Sequence, residues 1–314
     1  MTEADFAFLR DFLLRRSGLS LSVDKRYLVE SRLAAVCRQN AVADIGQLVQ
    51  KVRAGQAELA VAVVEAMTTN ETLFFRDALP FQHFRTVMLP ALMKARAGGP
   101  SRTIRIWCAA ASSGQEPYSL AMQLEDMAEE IRGWTIEILA TDISGEILAK
   151  AQAGLYSQFE VQRGLPIHNL LKHFTQEGDR WRISDRIRRR VVFRQHNLLE
   201  PLAGNAGLFD IVFCRNVLIY FDVPTKAKVM EMLARQVAPD GFLAVGAAET
   251  MLGICDAFTV DREHRGIYRP SAHRQPPRPA AMREKLSPRL PMAADPAQGR
   301  ASPFRVIDNP ARPR

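Results

Sequence analysis

From residue 1 to about residue 70, apolar residues recur three and four apart, the spacing of helices with one buried stripe. Phe6, Leu9, Phe12 and Leu13 mark the first helix. A second, Asp24 to Gln39, sets Tyr27, Leu28, Ser31, Leu33, Ala35 and Val36 along a largely apolar side and leaves Lys25, Arg26, Arg32 and Arg38 as a basic set. Asp44 can cap a third helix through Val52, which Gly55 ends, and Ala57 to Met67 reads as a fourth. The pattern predicts a small all-helical domain.

From about residue 100 short apolar runs alternate with amphipathic stretches. Ile104 to Ala109, Thr135 to Thr141, Phe209 to Cys214 and Gly241 to Gly246 read as buried strands. Glu116 to about Ile131, Ser144 to Ala153 and Pro224 to Val237 read as helices between them. That alternation predicts a mainly parallel sheet covered on both faces. Between the second and later strands, Phe174 to Ile183 reads as a hairpin turning near Glu177-Gly178-Asp179, and Arg186 to Phe193 as a further strand of the same antiparallel excursion. After Pro270 apolar periodicity stops, and residues 271–314 hold 9 of the 18 prolines. Such a segment buries too little surface to offset its ordering entropy, so a disordered tail is expected.

A chain of 314 residues suggests about two domains. The net charge of +8 is unevenly spread. Residues 163–194 and 271–314 each carry 9 basic and 3 acidic groups, while the remainder is mildly acidic. A nucleic-acid partner is therefore not expected: the excess sits in an insert and a tail, and the tail's only aromatic is Phe304, so no stacking platform is seen. No basic and apolar leader opens the sequence, and no apolar run reaches the roughly 18 residues a membrane span needs. Cys37, Cys108, Cys214 and Cys255 are scattered, and the 6 histidines show no ligand spacing, so reduced thiols and no metal site are expected.

The candidate chemistry gathers where strands end. Ala109 to Tyr118 follows the first strand with small residues that let a ligand approach the backbone, at the end of the sheet where open α/β folds bind ligands. It lacks the spacing of a pyrophosphate-binding turn. Glu116 there would repel a phosphate but could pair with an ammonium; it could equally be a helix-start carboxylate favoured by the dipole. Asp142 ends the second strand, placed either for ribose hydroxyls or as a helix cap. Thr68 to Asp77 joins the domains with a polar cluster beside paired Phe74 and Phe75, which a helix cap and a hydrophobic clamp would also explain. Cys214 to Phe221 follows the fourth strand and lacks the prolines associated with methyl transfer to amide or amino nitrogen. Asn197-Leu198-Leu199 lies where an adenine would sit.

The set TTNETLFFRD, RIWCAAASSGQEPYSLAM, ATDIS, LYSQFEVQRGLP, HNLL, FDIVFCRNVLIYF and PDGFLAVGAAE closely resembles the chemotaxis receptor methyltransferases, the CheR family, in order over about residues 3–270. The resemblance implies a cytoplasmic, S-adenosylmethionine-dependent protein-glutamate O-methyltransferase. It implies a helical N-terminal domain over 1–70, a linker and helix over 71–98, and a Rossmann-like methyltransferase domain over 99–270 with an inserted antiparallel β-subdomain at about 163–194. The implied cofactor contacts are Asn70, Thr72, Arg76, Glu116, Asp142, Asn197, Leu198, Asn216 and Val217, with Arg76 and Tyr220 at the acceptor carboxylate and transferred methyl. The implied partner is the acidic helical bundle of a chemoreceptor, on which the basic set of the second helix could dock, with the enzyme acting as a monomer. Some members also hold a receptor C-terminal pentapeptide; the hairpin here is short, with one Gly in its turn, so that grip is not expected. The alternative reading is a cofactor-binding signalling adaptor without catalysis.

Overall fold

The computed structural model describes residues 1–202, 207–251 and 253–271. The expectation of a disordered tail falls on residues outside these. Helices α1 (Glu3–Ser17), α2 (Arg26–Gln39), α3 (Ile45–Arg53) and α4 (Ala57–Met67) bury Phe6, Leu9, Leu13, Val29, Leu33, Leu48, Val49 and Val63 in one cluster. Thr2 and Asp5 form a reciprocal cap on α1, Asp44 caps α3 through the Gln47 N–H, and Gly18 ends α1 at φ +76. The buried stripe of α2 is Val29, Leu33, Val36 and Cys37, so Tyr27, expected on it, is instead exposed. Tyr27 stands two residues before Val29, so about 200° round the helix from that stripe.

A helical rod follows, made of α5 (Leu79–His83), a wider-wound turn (Phe84–Met88) and α6 (Leu89–Arg96). Then come β1 (Thr103–Ala109), α7 (Gln115–Asp126), β2 (Thr135–Asp142) and α8 (Gly145–Ala153). The chain continues through β3 (Leu155–Ser157), α9 (Gln158–Gln162), α10 (Ile167–His173), β4 (Phe174–Glu177), β5 (Arg180–Ile183) and α11 (Asp185–Arg188). It returns with β6 (Val191–Gln195), β7 (Phe209–Cys214), α12 (Val223–Gln236), β8 (Val237–Val245), β9 (Phe258–Val260) and β10 (Ile267–Pro270).

The main sheet runs β6-β2-β1-β7-β8-β10-β9, with β6 to β8 parallel and β10 antiparallel to both neighbours. It is an α/β Rossmann-like sheet whose order reverses between β1 and β7, the switch point where such sheets open a crevice at their carboxyl ends. Its central strands are buried on both faces, as the near-continuous apolar runs require. At the opposite end, buried Asp210 accepts from Arg96 Nη2 and the Arg105 N–H, both at 2.7 Å.

The small antiparallel sheet is β3-β5-β4. The hairpin expected at Phe174 to Ile183 is there, but the expected strand from Arg186 to Phe193 is not its third member. Residues 185–188 form α11, which buries Ile187, and β6 joins the edge of the main sheet beside β2. The third strand is Leu155–Ser157, which pairs with β5. One Ile among arginines is too short a pattern to separate a helix turn from a strand. The expected helix to Ile131 also ends early, at Asp126.

Gly164, between α9 and α10, fastens this subdomain to the linker. It sits at φ +80, and a Cβ there would run into the Phe74 carbonyl oxygen and lie 2.9 Å from Leu73 Cδ1. Gly164→Ala should therefore destabilise the fold by about 2 kcal/mol or more, since it adds both strain and a clash with backbone. A fall in the urea midpoint at constant slope checks this; an unchanged midpoint contradicts it.

Candidate active site

The carboxyl ends of four neighbouring parallel strands form one wall of a cleft. Ala110 and Ser112 follow β1, Asp142 ends β2 with Ile143 behind it, His196 to Leu198 follow β6, and Arg215 to Val217 follow β7. The facing wall comes from the helical domain (Ser17, Leu19, Val64, Met67) and the linker (Thr68 to Thr72, Arg76). The cleft, counted with the solvent-open space at its mouth, holds about 1010 Å³. All ten positions implied by the sequence resemblance line it: Asn70, Thr72, Arg76, Glu116, Asp142, Asn197, Leu198, Asn216, Val217 and Tyr220.

Polar contacts hold the two walls together. Leu19 bridges to Phe221, and the Ser20 N–H donates to the Tyr220 carbonyl at 2.9 Å. Glu65 Oε1 accepts from the Gly145 N–H, and Ser112 Oγ donates to the Asn70 carbonyl at 3.1 Å. Arg32 donates to the Met67 and Thr68 carbonyls at 2.9 and 2.8 Å, so this member of the basic set secures the end of α4 instead of facing solvent. Asn197 Nδ2 donates to the Arg16 carbonyl at 2.7 Å, and its Oδ1 accepts from the Leu199 N–H. Asn197 thus lines the cleft with both ends of its amide already partnered, and it ties α1 to the sheet.

Arg215 is the polar centre of the site. Its side chain is 1% exposed. Nη1 donates to Glu116 Oε2 at 2.8 Å, and Nη2 donates to Asp77 Oδ2 at 2.7 Å and to the Arg76 carbonyl at 2.8 Å. Burial pushes the Glu116 carboxyl above its usual range, opposed by Arg215. Burial likewise raises Asp142, against the pull of the Ser144 and Ser112 N–H groups that its two oxygens accept. Asp142 therefore both faces the cleft and orders the turns after β1 and β2. Around the cleft, residues without the freedom of glycine take positive φ: Phe75, Asp77, Ala78, Ala110, Ser112 and Asn216, between +46° and +69°. Such conformations cost of order 1–3 kcal/mol each and persist where surroundings over-determine them.

The donor set suits S-adenosylmethionine. Two buried carboxyls, whose charged forms burial disfavours, are relieved by a ligand that brings positive charge. Apolar Leu198 and Val217 offer a flat base a surface, and His196 Nε2 is buried in the wall with no partner among the described residues. His196 and Arg215 escaped the sequence reading. Arg215 carried one signal: an arginine directly after six buried strand residues must find anions.

Burial pushes His196 down to about 4, so the imidazole is neutral at pH 7. Its folded value lies below the unfolded value of about 6.5, so the unfolded chain binds the proton first as pH falls. Its contribution is present above pH 6.5 and lost towards pH 4, by at most ~3 kcal/mol. His196→Gln should remove that part of the slope: the stability difference between wild type and variant, from denaturant melts, should change between pH 7 and pH 4.5. A constant difference contradicts the assignment.

Comparison with known proteins agrees with the cleft. The family model described as CheR methyltransferase, SAM binding domain, matches residues 70–267, and that of the CheR methyltransferase all-alpha domain matches residues 4–68. Chemotaxis protein methyltransferase 1 of Pseudomonas aeruginosa is 41% identical over 268 residues, covering 84% of this chain and 96% of that one. Chemotaxis protein methyltransferase Cher2 of Pseudomonas putida is 39% identical with the same coverage, and the chemotaxis protein methyltransferase of Vibrio anguillarum 40% identical over 85% and 96%. A solved magnesium protoporphyrin IX methyltransferase of Synechocystis with bound SAM overlaps at TM-score 0.31 and 17% identity, over 62% of this chain and 78% of that one. With both of its domains matched and its strand-end cleft suited to that cofactor, the chain belongs to the CheR family of S-adenosylmethionine-dependent chemotaxis methyltransferases.

Proposed function

We propose that this enzyme, acting in the cytoplasm, methylates glutamate side chains on the cytoplasmic helical bundle of a chemoreceptor, giving methyl esters and S-adenosylhomocysteine. One observation carries the reading: Arg76, from the linker, and Tyr220, from the loop after β7, line the same cleft as Glu116 and Asp142. A carboxylate-binding group and a phenol thus stand beside the suited cofactor set.

S-adenosylmethionine, when bound, supplies a methyl carbon activated by a sulfonium sulfur. Glu116 would face its ammonium and Asp142 its ribose hydroxyls, with Leu198, Asn216 and Val217 along the base. A substrate glutamate has an ordinary pKa of about 4.3 and is ionised at neutral pH, so no general base is needed. What the chain must provide is placement. Arg76 gives one Nη1 bond to the Glu71 carbonyl at 2.8 Å, which fixes its stem and leaves the rest of the fork for a carboxylate. The Tyr220 hydroxyl orients an oxygen at the reacting centre, and the Val217 carbonyl accepts its backbone N–H to hold it. Lys25, just before α2, and Arg38, on it, remain exposed for an acidic partner helix.

The test is incubation of the full chain with labelled S-adenosylmethionine and purified receptor cytoplasmic domains, counting base-labile methyl. Label is expected on receptor glutamates and lost when those residues are changed to glutamine. Arg76→Ala should lower turnover roughly 100-fold, the scale set by a misplaced reactant, and Tyr220→Phe by roughly tenfold or more, with unfolding midpoints unchanged. Turnover near that of the wild type in either variant contradicts its assigned role.

A further inference from the structure

Glu249, in the loop after β8, is not in the cleft wall, yet its carboxylate takes four backbone N–H groups. Oε2 accepts from Gly246 at 2.7 Å and Asn216 at 2.8 Å; Oε1 accepts from Leu218 at 2.7 Å and Val217 at 3.0 Å. A carboxylate has about four lone-pair sites, so this one is fully used, and bonds to an ionised acceptor are the strong kind. Three of the four donors are consecutive, and they are the turn between Arg215 and Tyr220. Asn216 sits in that turn at φ +58, a left-handed conformation that asparagine can adopt as a single residue. The seat is also cut to fit: a Cβ on Gly246 would lie 2.6 Å from Glu249 Oε2 and 3.0 Å from the Asn216 nitrogen.

We propose that Glu249 is a positioning residue for methyl transfer: its carboxylate fixes the 216–218 turn, and through it the cleft-side placement of Asn216, Val217 and Tyr220. Tyr220 is reached because its N–H donates to the Val217 carbonyl at 3.2 Å. No apolar contact or single neutral acceptor satisfies four converging N–H groups, which is why an acid stands here. The inference rests on the proposed placement of the cofactor against Asn216 and Val217.

The test uses Glu249→Gln in the full chain, which keeps the shape of the side chain but turns one acceptor oxygen into a donor facing N–H groups. Hydrogen exchange is read at the amides of Gly246, Asn216, Val217 and Leu218, with Ile106 and Cys108 of β1 as internal reference. Affinity for S-adenosylhomocysteine is read by calorimetry. Exchange should rise about tenfold or more at amides of the turn and not in β1, and the Kd should rise about tenfold, the scale of a lost charged hydrogen bond. Asn216→Ala is measured alongside. If it weakens S-adenosylhomocysteine binding while Glu249→Gln leaves the Kd unchanged, the inference fails and the cofactor placement stands. Equal acceleration in β1 reduces Glu249 to general stability and also overturns it. A wild-type chain that does not bind S-adenosylhomocysteine overturns the placement and the inference together.

Discussion

A guanidinium taken out of water is the constraint around which the cleft is built. Arg215 follows six buried residues of β7, so it cannot reach solvent and must be met by anions inside. Glu116 comes from the start of α7, while Asp77 and the Arg76 carbonyl come from the linker. Phe81 adds its ring face at 5.6 Å. Removing one partner of such a buried pair typically costs about 3–5 kcal/mol, because the remaining charge is stranded. The linker therefore cannot swing away from the sheet without stranding Arg215. That linkage fixes the backbone of Arg76 in the cleft and explains how Phe75, Asp77 and Ala78 persist at positive φ.

The helical domain is held by a different kind of contact. Its ties to the sheet are mostly hydrogen bonds to backbone: Asn197 to Arg16, Glu65 to Gly145, Ser20 to Tyr220. Several come from residues that also line the cleft. One set of side chains thus roofs the cleft and sets the spacing between its walls. The cleft's own acids, Glu116 and Asp142, are anchored by Arg215 and by backbone N–H groups respectively, which offset their burial only in part before any ligand arrives.

Much of this was legible in the chain. Long apolar runs bounded by turns located β1, β2, β7 and β8, and the small residues after β1 and the acid after β2 located the ligand end of the sheet. The failures have physical reasons. Leu155–Ser157 is too short to show a period, and Val191–Gln195 is ambiguous until β2 supplies its partner. Tyr27 is apolar enough to suit a buried face, but burial of Val29, Leu33, Val36 and Cys37 against the other helices leaves it outward. Asn197 lines the cleft, but the bond from its amide to the carbonyl of Arg16, far away in sequence, leaves no trace in the pattern. Arg215 and Glu249 act only through groups brought together by folding. Charge followed the same course: the sequence places much of the +8 in the basic insert, but not that Arg186 and Arg190 there pair with Glu125, and Arg188 with Asp185.

That Arg215 joins the linker to the cofactor wall is tested most directly by a double-mutant cycle between Arg215→Gln and Asp77→Asn, read as affinity for S-adenosylhomocysteine. Asp77 is outside the cleft lining, so its effect must pass through Arg215. Each substitution should weaken binding, and the pair together should cost no more than the worse single change. The coupling should fall in the range of about 1–3 kcal/mol that contacting residues in one network show. Strictly additive losses, or an Asp77→Asn variant that binds as the wild type does, would contradict it.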